Sequence, residues 1–262
     1  MRLIHPLLLV GAVLATSAPP HQAHAKPAEK TAIDPKADAL LRKMSTDLAA
    51  MKSFTVDTHQ VLEVVTKEGE KIQGIADSTI SLQRPNKLAT DRMGPMGGAR
   101  VSYDGANVTV YGKRENLYAT AKAPDNIDAM FDFARQNLSI DAPGADLLYS
   151  NAYSILMEDV VSGRYMGIEP IGNRMCHHLA YRGNETDWQI WVEDGARALP
   201  CRFVITSKKE PGSPQYSVET TNWKEAKFPA ETFAFKPPRD AVKIDFVTVS
   251  DEISKKKQQA RR

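Results

Sequence analysis

CHHLAYRGNETDWQIW, residues 176–191, reads in two ways. A cysteine followed by two histidines is the chemistry of a metal or nucleophile site. Two runs of branched and aromatic residues around Gly183-Asn184 make a β-hairpin. Alternation separates the readings. Successive strand residues face opposite sides, so Cys176 and His178 converge while His177 turns away. A zinc site takes three or four ligands. Beyond residue 25 the remaining cysteine is Cys201 and the remaining histidine is His59. A Cys176–His178–Cys201 set is conceivable, but no CxxC or HxxxH spacing supports it. The stretch is expected to be a hairpin, with no metal and no cofactor.

Working outward, strands are expected over residues 165–170, 175–182, 188–193, 201–207 and 215–223. Turns fall at Gly172-Asn173, Gly183-Asn184, Asp194-Gly195 and Pro211-Gly212. Short connections favour an antiparallel meander. The first half repeats the pattern. Phe54, Val56, Thr58, Gln60, Leu62 and Val64 share one face of a long strand, with Val61 and Val65 on the other. Further strands are expected over 72–82, 87–93, 100–103, 107–111 and 117–120. Asp104-Gly105 is a hairpin signal, and GPMGG, residues 94–98, is a loop tip.

Helical spacing appears twice. Asp34 is an N-cap and Pro35 suits the first helical position. Ala37, Leu40, Leu41, Met44, Leu48 and Met51 then form one apolar stripe, ending near Lys52. A second stripe, Ile127, Met130, Phe131, Ala134 and Leu138, follows Asn126. Beyond Pro143-Gly144, Leu147, Leu148, Ile155, Leu156 and Val160 indicate one or two short helices. The expected class is α+β: a large curved antiparallel sheet, an incomplete β-barrel, with helices packed on its open, concave side.

The ends carry their own signals. Residues 1–25 have one early Arg, an apolar run too short to span a bilayer, and small residues closing on Ala23-His24-Ala25. That is the pattern of a signal peptide cleaved after Ala25, so the protein is expected to be exported, soluble and periplasmic. Residues 26–33 read as a disordered leader, 34–250 as a single domain, and 251–262 as a solvated basic tail. The chain has 34 basic and 32 acidic side chains. Such balance gives no argument for a nucleic-acid partner.

Certain motifs carry a resemblance. Ser81-Leu82-Gln83-Arg84-Pro85-Asn86-Lys87-Leu88 is followed by Tyr103-Asp104-Gly105 and by Asn107-Val108-Thr109-Val110-Tyr111. Tyr118-Ala119, residues 124–128, Asp187-Trp188-Gln189-Ile190-Trp191, Leu199-Pro200 and Phe233-Ala234-Phe235-Lys236-Pro237-Pro238 continue the series. From the first helix to about Phe246, the chain resembles a bacterial family of predicted periplasmic proteins. That family is similar to the superfamily of the carrier LolA, the mycobacterial lipoprotein LppX and the stress regulator RseB. The resemblance implies a half-barrel whose helices plug its open side, with an apolar ligand between sheet and helices. The carrier's early-strand arginine, which helps latch the helical lid, has no counterpart in residues 54–66. His59 is the nearest candidate there.

Catalytic motifs are thin. There is no G-x-S-x-G and no Gly-rich phosphate loop, and Glu158-Asp159 sit at a helix end. No catalytic residue is assigned. Cys176 and Cys201 stay open as a disulfide. An oxidising compartment favours pairing. In a regular meander, however, their strands lie about 9.6 Å apart, beyond the ~7 Å limit for Cα atoms. The expected function is binding of a hydrophobic ligand, a lipid, an acyl chain or a lipidated protein, in a carrier-like or chaperone-like role. Met130, Phe131, Met44, Leu48 and Leu62 are the candidate contacts. The alternatives are a sensor or interaction module with a periplasmic or membrane protein partner, and, behind it, a metal-dependent enzyme.

Overall fold

The computed structural model describes residues 33–246 except Met96. The expected signal peptide, most of the leader and the basic tail lie outside the described residues. Ile33, expected in the leader, is bridged to Gly163, and the Asp34 amide donates to the Gly163 carbonyl.

α1 (Pro35–Ala50) starts as its sequence dictates. The Asp34 carboxylate accepts from the Lys36 amide, and Pro35 opens the first turn. Its stripe of Ala37, Leu41, Met44 and Leu48 is fully buried. The strands β1 (Ser53–Val65), β2 (Lys71–Gln83), β3 (Lys87–Met93), β4 (Ala99–Tyr103), β5 (Asn107–Gly112) and β6 (Leu117–Lys122) follow as consecutive hairpins. Then come α2 (Ile127–Asn137), a 3₁₀ turn (Ala145–Leu148) and α3 (Ala152–Met157). The second run is β7 (Val160–Ile171), β8 (Arg174–Gly183), β9 (Thr186–Glu193), β10 (Pro200–Ser207) and β11 (Gln215–Glu225), closed by the short β12 (Val242–Lys243).

Among the described residues the twelve strands form one sheet in the order β12-β6-β5-β4-β3-β2-β1-β11-β10-β9-β8-β7. Each pairing is antiparallel except β12 with β6. The two meanders join through β1 and β11, whose register sets Leu62 against Tyr216 and Thr58 against Thr220. The sheet ends at β12 and β7 without closing on itself. The α+β half-barrel expected from the sequence is the observed fold.

The helices lie on one face. Leu41, Met44 and Leu48 of α1 share a core cluster with Leu179, Tyr181, Ile190 and Val192. These strand residues alternate with Cys176, His178 and Trp191, which face the other way and do not join that cluster. Tyr181 passes over Gly163, where a Cβ would stand 2.6 Å from its Cε1, and donates its hydroxyl to the Ala37 carbonyl at 3.0 Å. Two expectations change. Val160, placed in a helix by its spacing, begins β7, a strand that starts five residues before the expected Tyr165. β12 has too few residues to show any period, and its parallel pairing with β6 was not anticipated.

Candidate functional site

Between the concave sheet face and the segment α2–3₁₀ turn–α3 lies a cavity of about 1400 Å³. This exceeds the roughly 300–1,000 Å³ usual for small-molecule sites. Strand alternation builds the wall. The even-numbered residues of β1, from Val56 to Val64, all face it, as do Ser78 and Ile80 of β2. Trp188, Phe203, Ile205 and Val218 complete the apolar sheet side, and Met130, Phe131, Ile155 and Leu156 the helical side.

The wall also carries an ordered polar strip. Thr220, Thr58, Ser78 and Arg92 are successive register partners on β11, β1, β2 and β3, and all four line the cavity. Gln60 donates from its amide to Thr58 Oγ1 and to Ser78 Oγ, both at 3.0 Å. The Thr220 hydroxyl donates to the Pro200 carbonyl and accepts from Trp223 Nε1 at 3.2 Å. Burial raises the Tyr216 phenol above its ordinary value, and Arg92 partly offsets this.

The helical cover is tied by side chains. The Tyr149 hydroxyl donates to Asp132 Oδ1 and accepts from Arg135 Nη2, each at 2.9 Å. Asp128 accepts from the Ser150 amide at 2.9 Å and from its hydroxyl. Asp146 lies 3.8 Å from Arg135. Burial raises its carboxyl above the usual range, against the pull of Arg135. Gly144 starts the 3₁₀ turn with φ +84°, a conformation suited to glycine, and a Cβ there would stand 3.4 Å from Tyr216 Cε1. Tyr153 of α3 donates to Asp38 of α1.

Met130, Phe131 and Leu62 line the cavity. Met44 and Leu48 do not line it: they are core residues at 0% and 1% exposure, in the same cluster as Met130, which is itself 2% exposed. His59 points away from the cavity, as its odd position on β1 requires, and pairs with Asp77 Oδ1 at 2.7 Å. Arg92, Tyr216, Phe203, Ile205 and Val218 were not anticipated. For Arg92 the signal existed, because alternation places it on the face of Leu88 and Thr90.

The opening stretch resolves on the convex side. Cys176 and Cys201 form a disulfide with Cα atoms 6.7 Å apart. A register shift between Pro200 and Arg202 leaves Cys201 in a bulge, and Cys176 pairs with Glu193, the last residue of β9. The bridge therefore crosses at the end of β9, where the regular spacing of a meander does not hold. Its packing partners are Trp191, Val204 and Ile171, and it does not line the cavity. With both sulfurs bonded, a Cys176–His178–Cys201 thiolate site is not formed. His178 is stacked on Trp191 with ring centroids 4.1 Å apart and held between Glu169 and Gln189, both at 3.0 Å. Hydrogen bonds from Trp191 and His178 hold the Glu169 carboxyl below its ordinary range. His177, on the opposite face, meets the Tyr165 hydroxyl at 3.0 Å.

The fold and site define a class: an open antiparallel half-barrel with helices over its concave face and an apolar cavity between. Within that class the chain belongs to the family described as predicted periplasmic proteins, DUF2092, whose model matches residues 37–247. This places it in the periplasm and agrees with the resemblance drawn from its motifs. No curated protein sequence matches the chain. Among solved structures it is similar to an uncharacterised conserved protein from Thermus thermophilus at 13% identity and TM-score 0.47, covering 80% of this chain and 99% of that one. It is similar to the lipoprotein LppX from Mycobacterium tuberculosis at 14% identity and TM-score 0.47, with coverages of 74% and 98%. A LolA superfamily protein from Nitrosomonas europaea aligns at 12% identity and TM-score 0.41, with coverages of 76% and 97%.

Proposed function

We propose that this periplasmic protein binds the acyl chain of a lipid or lipidated protein in the cavity between sheet and helices, as a carrier or chaperone rather than as an enzyme. The observation that carries the reading is the apolar cavity of about 1400 Å³. At roughly 30 Å³ for a group of water or methylene size, it has room for more than one long chain. Each buried methylene contributes about 0.8 kcal/mol, so a sixteen-carbon chain gains on the order of 12 kcal/mol gross. Binding costs about 4 kcal/mol or more in lost freedom. Chain burial alone therefore reaches about micromolar affinity.

The test is titration with a fluorescent long-chain fatty acid, using the unaltered protein and Ile205→Trp, which places an indole in the cavity. The reading expects saturable micromolar binding that Ile205→Trp weakens about tenfold. No saturable binding to the unaltered protein would overturn it.

A second reading, a sensor or interaction module, draws on the exposed Met166, Ile168 and Met175 on the β7–β8 hairpin. Capture of one defined periplasmic protein in the absence of lipid, lost on changing these residues to Ser, would favour it.

A further inference from the structure

We propose that the cavity selects an amphiphile with an oxyanion head group, a carboxylate or a phosphate, and that Arg92 and Ser78 seat that head. The inference rests on the ligand-binding reading above and specifies its ligand class.

The cavity wall holds three cationic side chains: Lys67, Arg92 and Arg135. Arg135 is engaged by Tyr149 and Asp146. Lys67 is exposed in the turn between β1 and β2. Arg92 differs from both. It is half-buried on the sheet side of an apolar wall. Among the described residues its guanidinium makes no side-chain hydrogen bond, and no carboxylate lies within 4.0 Å of it. Asp91, its chain neighbour, faces the other side and is taken by Lys113 and Arg100.

Ser78 stands directly across from Arg92 in the β2–β3 register. Directly opposed Cβ atoms lie about 4.5–5.5 Å apart, so one small group can reach both side chains. The Ser78 hydroxyl accepts from Gln60 and keeps its proton for donation. Gln60 and Thr58 hold each other in place through the same network. The Arg92–Ser78 pair therefore offers the cavity a fork of guanidinium N–H groups and one hydroxyl, and the Tyr216 and Thr90 hydroxyls line the same wall. A guanidinium matches a carboxylate or a phosphate in a paired arrangement that an alcohol or ester cannot use. Six carboxylate residues also line the cavity, Glu63, Asp141, Asp146, Glu158, Asp159 and Glu210. Glu63 is bonded to Lys71 and to the Gln215 amide, Asp159 to Asn184 and the Glu185 amide, and Asp146 lies beside Arg135.

The experiment measures binding of hexadecanoate, hexadecyl phosphate and hexadecanol to the unaltered protein and to Arg92→Met, Arg92→Lys and Ser78→Ala. Methionine keeps an apolar stem of similar reach, so the wall is retained. The proposal expects both anions to bind about tenfold or more tightly than the alcohol. Arg92→Met removes that preference, so that both anions bind no more tightly than hexadecanol does, and a cooperative thermal melt shows that the variant folds. Arg92→Lys keeps part of the preference, and Ser78→Ala loses a smaller part. The tighter of the two anions identifies the head group. Equal binding of all three probes, or a uniform loss in Arg92→Met, overturns the proposal while the apolar cavity stands. Failure of every probe to bind the unaltered protein overturns the cavity reading itself.

Discussion

The Tyr153 hydroxyl donates to Asp38 Oδ1 at 2.5 Å, tying α3 of the cavity cover to helix α1. Arg42 completes the clasp, donating to Asp38 at 2.8 Å and to the Tyr153 oxygen at 2.6 Å. The hydrogen bonds from Tyr153 and then Arg42 hold the Asp38 carboxyl below its ordinary range. Burial, and then Asp38, raise the Tyr153 phenol above its own. A lowered carboxyl stabilises above its unfolded value and loses that contribution as pH falls through the folded value. A raised phenol stabilises below its unfolded value and loses the contribution as pH rises through the folded one. Tyr153→Phe should therefore cost about 1 kcal/mol near neutral pH, or about 2–4 °C in Tm for a protein of this size. The difference should shrink below about pH 4 and above about pH 10. Thermal melts of both proteins across pH check this.

The disulfide Cys176–Cys201 closes a loop of sequence separation 25 on the convex side of the sheet. Replacing both cysteines with Ala, or reducing the bridge, should cost about 3 kcal/mol in the loop-entropy model. Fatty-acid affinity at neutral pH should stay unchanged, because neither sulfur lines the cavity. Denaturant melts with and without reductant, run beside the binding titration, separate the two effects.

Fold and site were unequally legible in the sequence. Asp34-Pro35 and Asn126 marked helix starts because capping is local chemistry, and both side chains accept amide bonds in the first turn. Phe54 to Val64 declared a long strand through period-two alternation, which needs no knowledge of the partner. The pairing of β1 with β11 was not legible: Leu62 meets Tyr216 across more than a hundred residues, and nothing local encodes that register. The same limit hid much of the cavity wall, Phe203, Ile205, Tyr216 and Val218, because the wall is assembled from both meanders. It also hid the bulge at Cys201, which decided the disulfide. Met44 and Met130 have the same residue type on similar apolar stripes, and both are buried in one core cluster, yet only Met130 also lines the cavity. Only the seating of each helix distinguishes them.

That distinction predicts different phenotypes. Met44→Ala empties a packed core position and should cost about 2–5 kcal/mol, with little change in ligand affinity. Phe131→Ala removes a half-buried cavity wall and its tilted contact with Tyr149, 5.4 Å between centroids. It should weaken fatty-acid binding severalfold at a smaller cost in stability. Chemical denaturation and probe titration on both variants give the comparison.

Filling the cavity and overfilling the core should also differ. Ile205→Trp projects into open space and should cost less than about 1 kcal/mol, while Leu179→Trp, at a fully buried site, should cost about 1–3 kcal/mol or more from strain. Denaturation midpoints of the two variants test whether the space beside Ile205 accepts added volume.

The most direct measurement is native mass spectrometry of protein purified from the periplasm without detergent, followed by solvent extraction and lipid analysis. A bound amphiphile at defined stoichiometry is expected, released on denaturation and reduced in Ile205→Trp. Protein that carries no amphiphile and takes up no added long-chain fatty acid would contradict it.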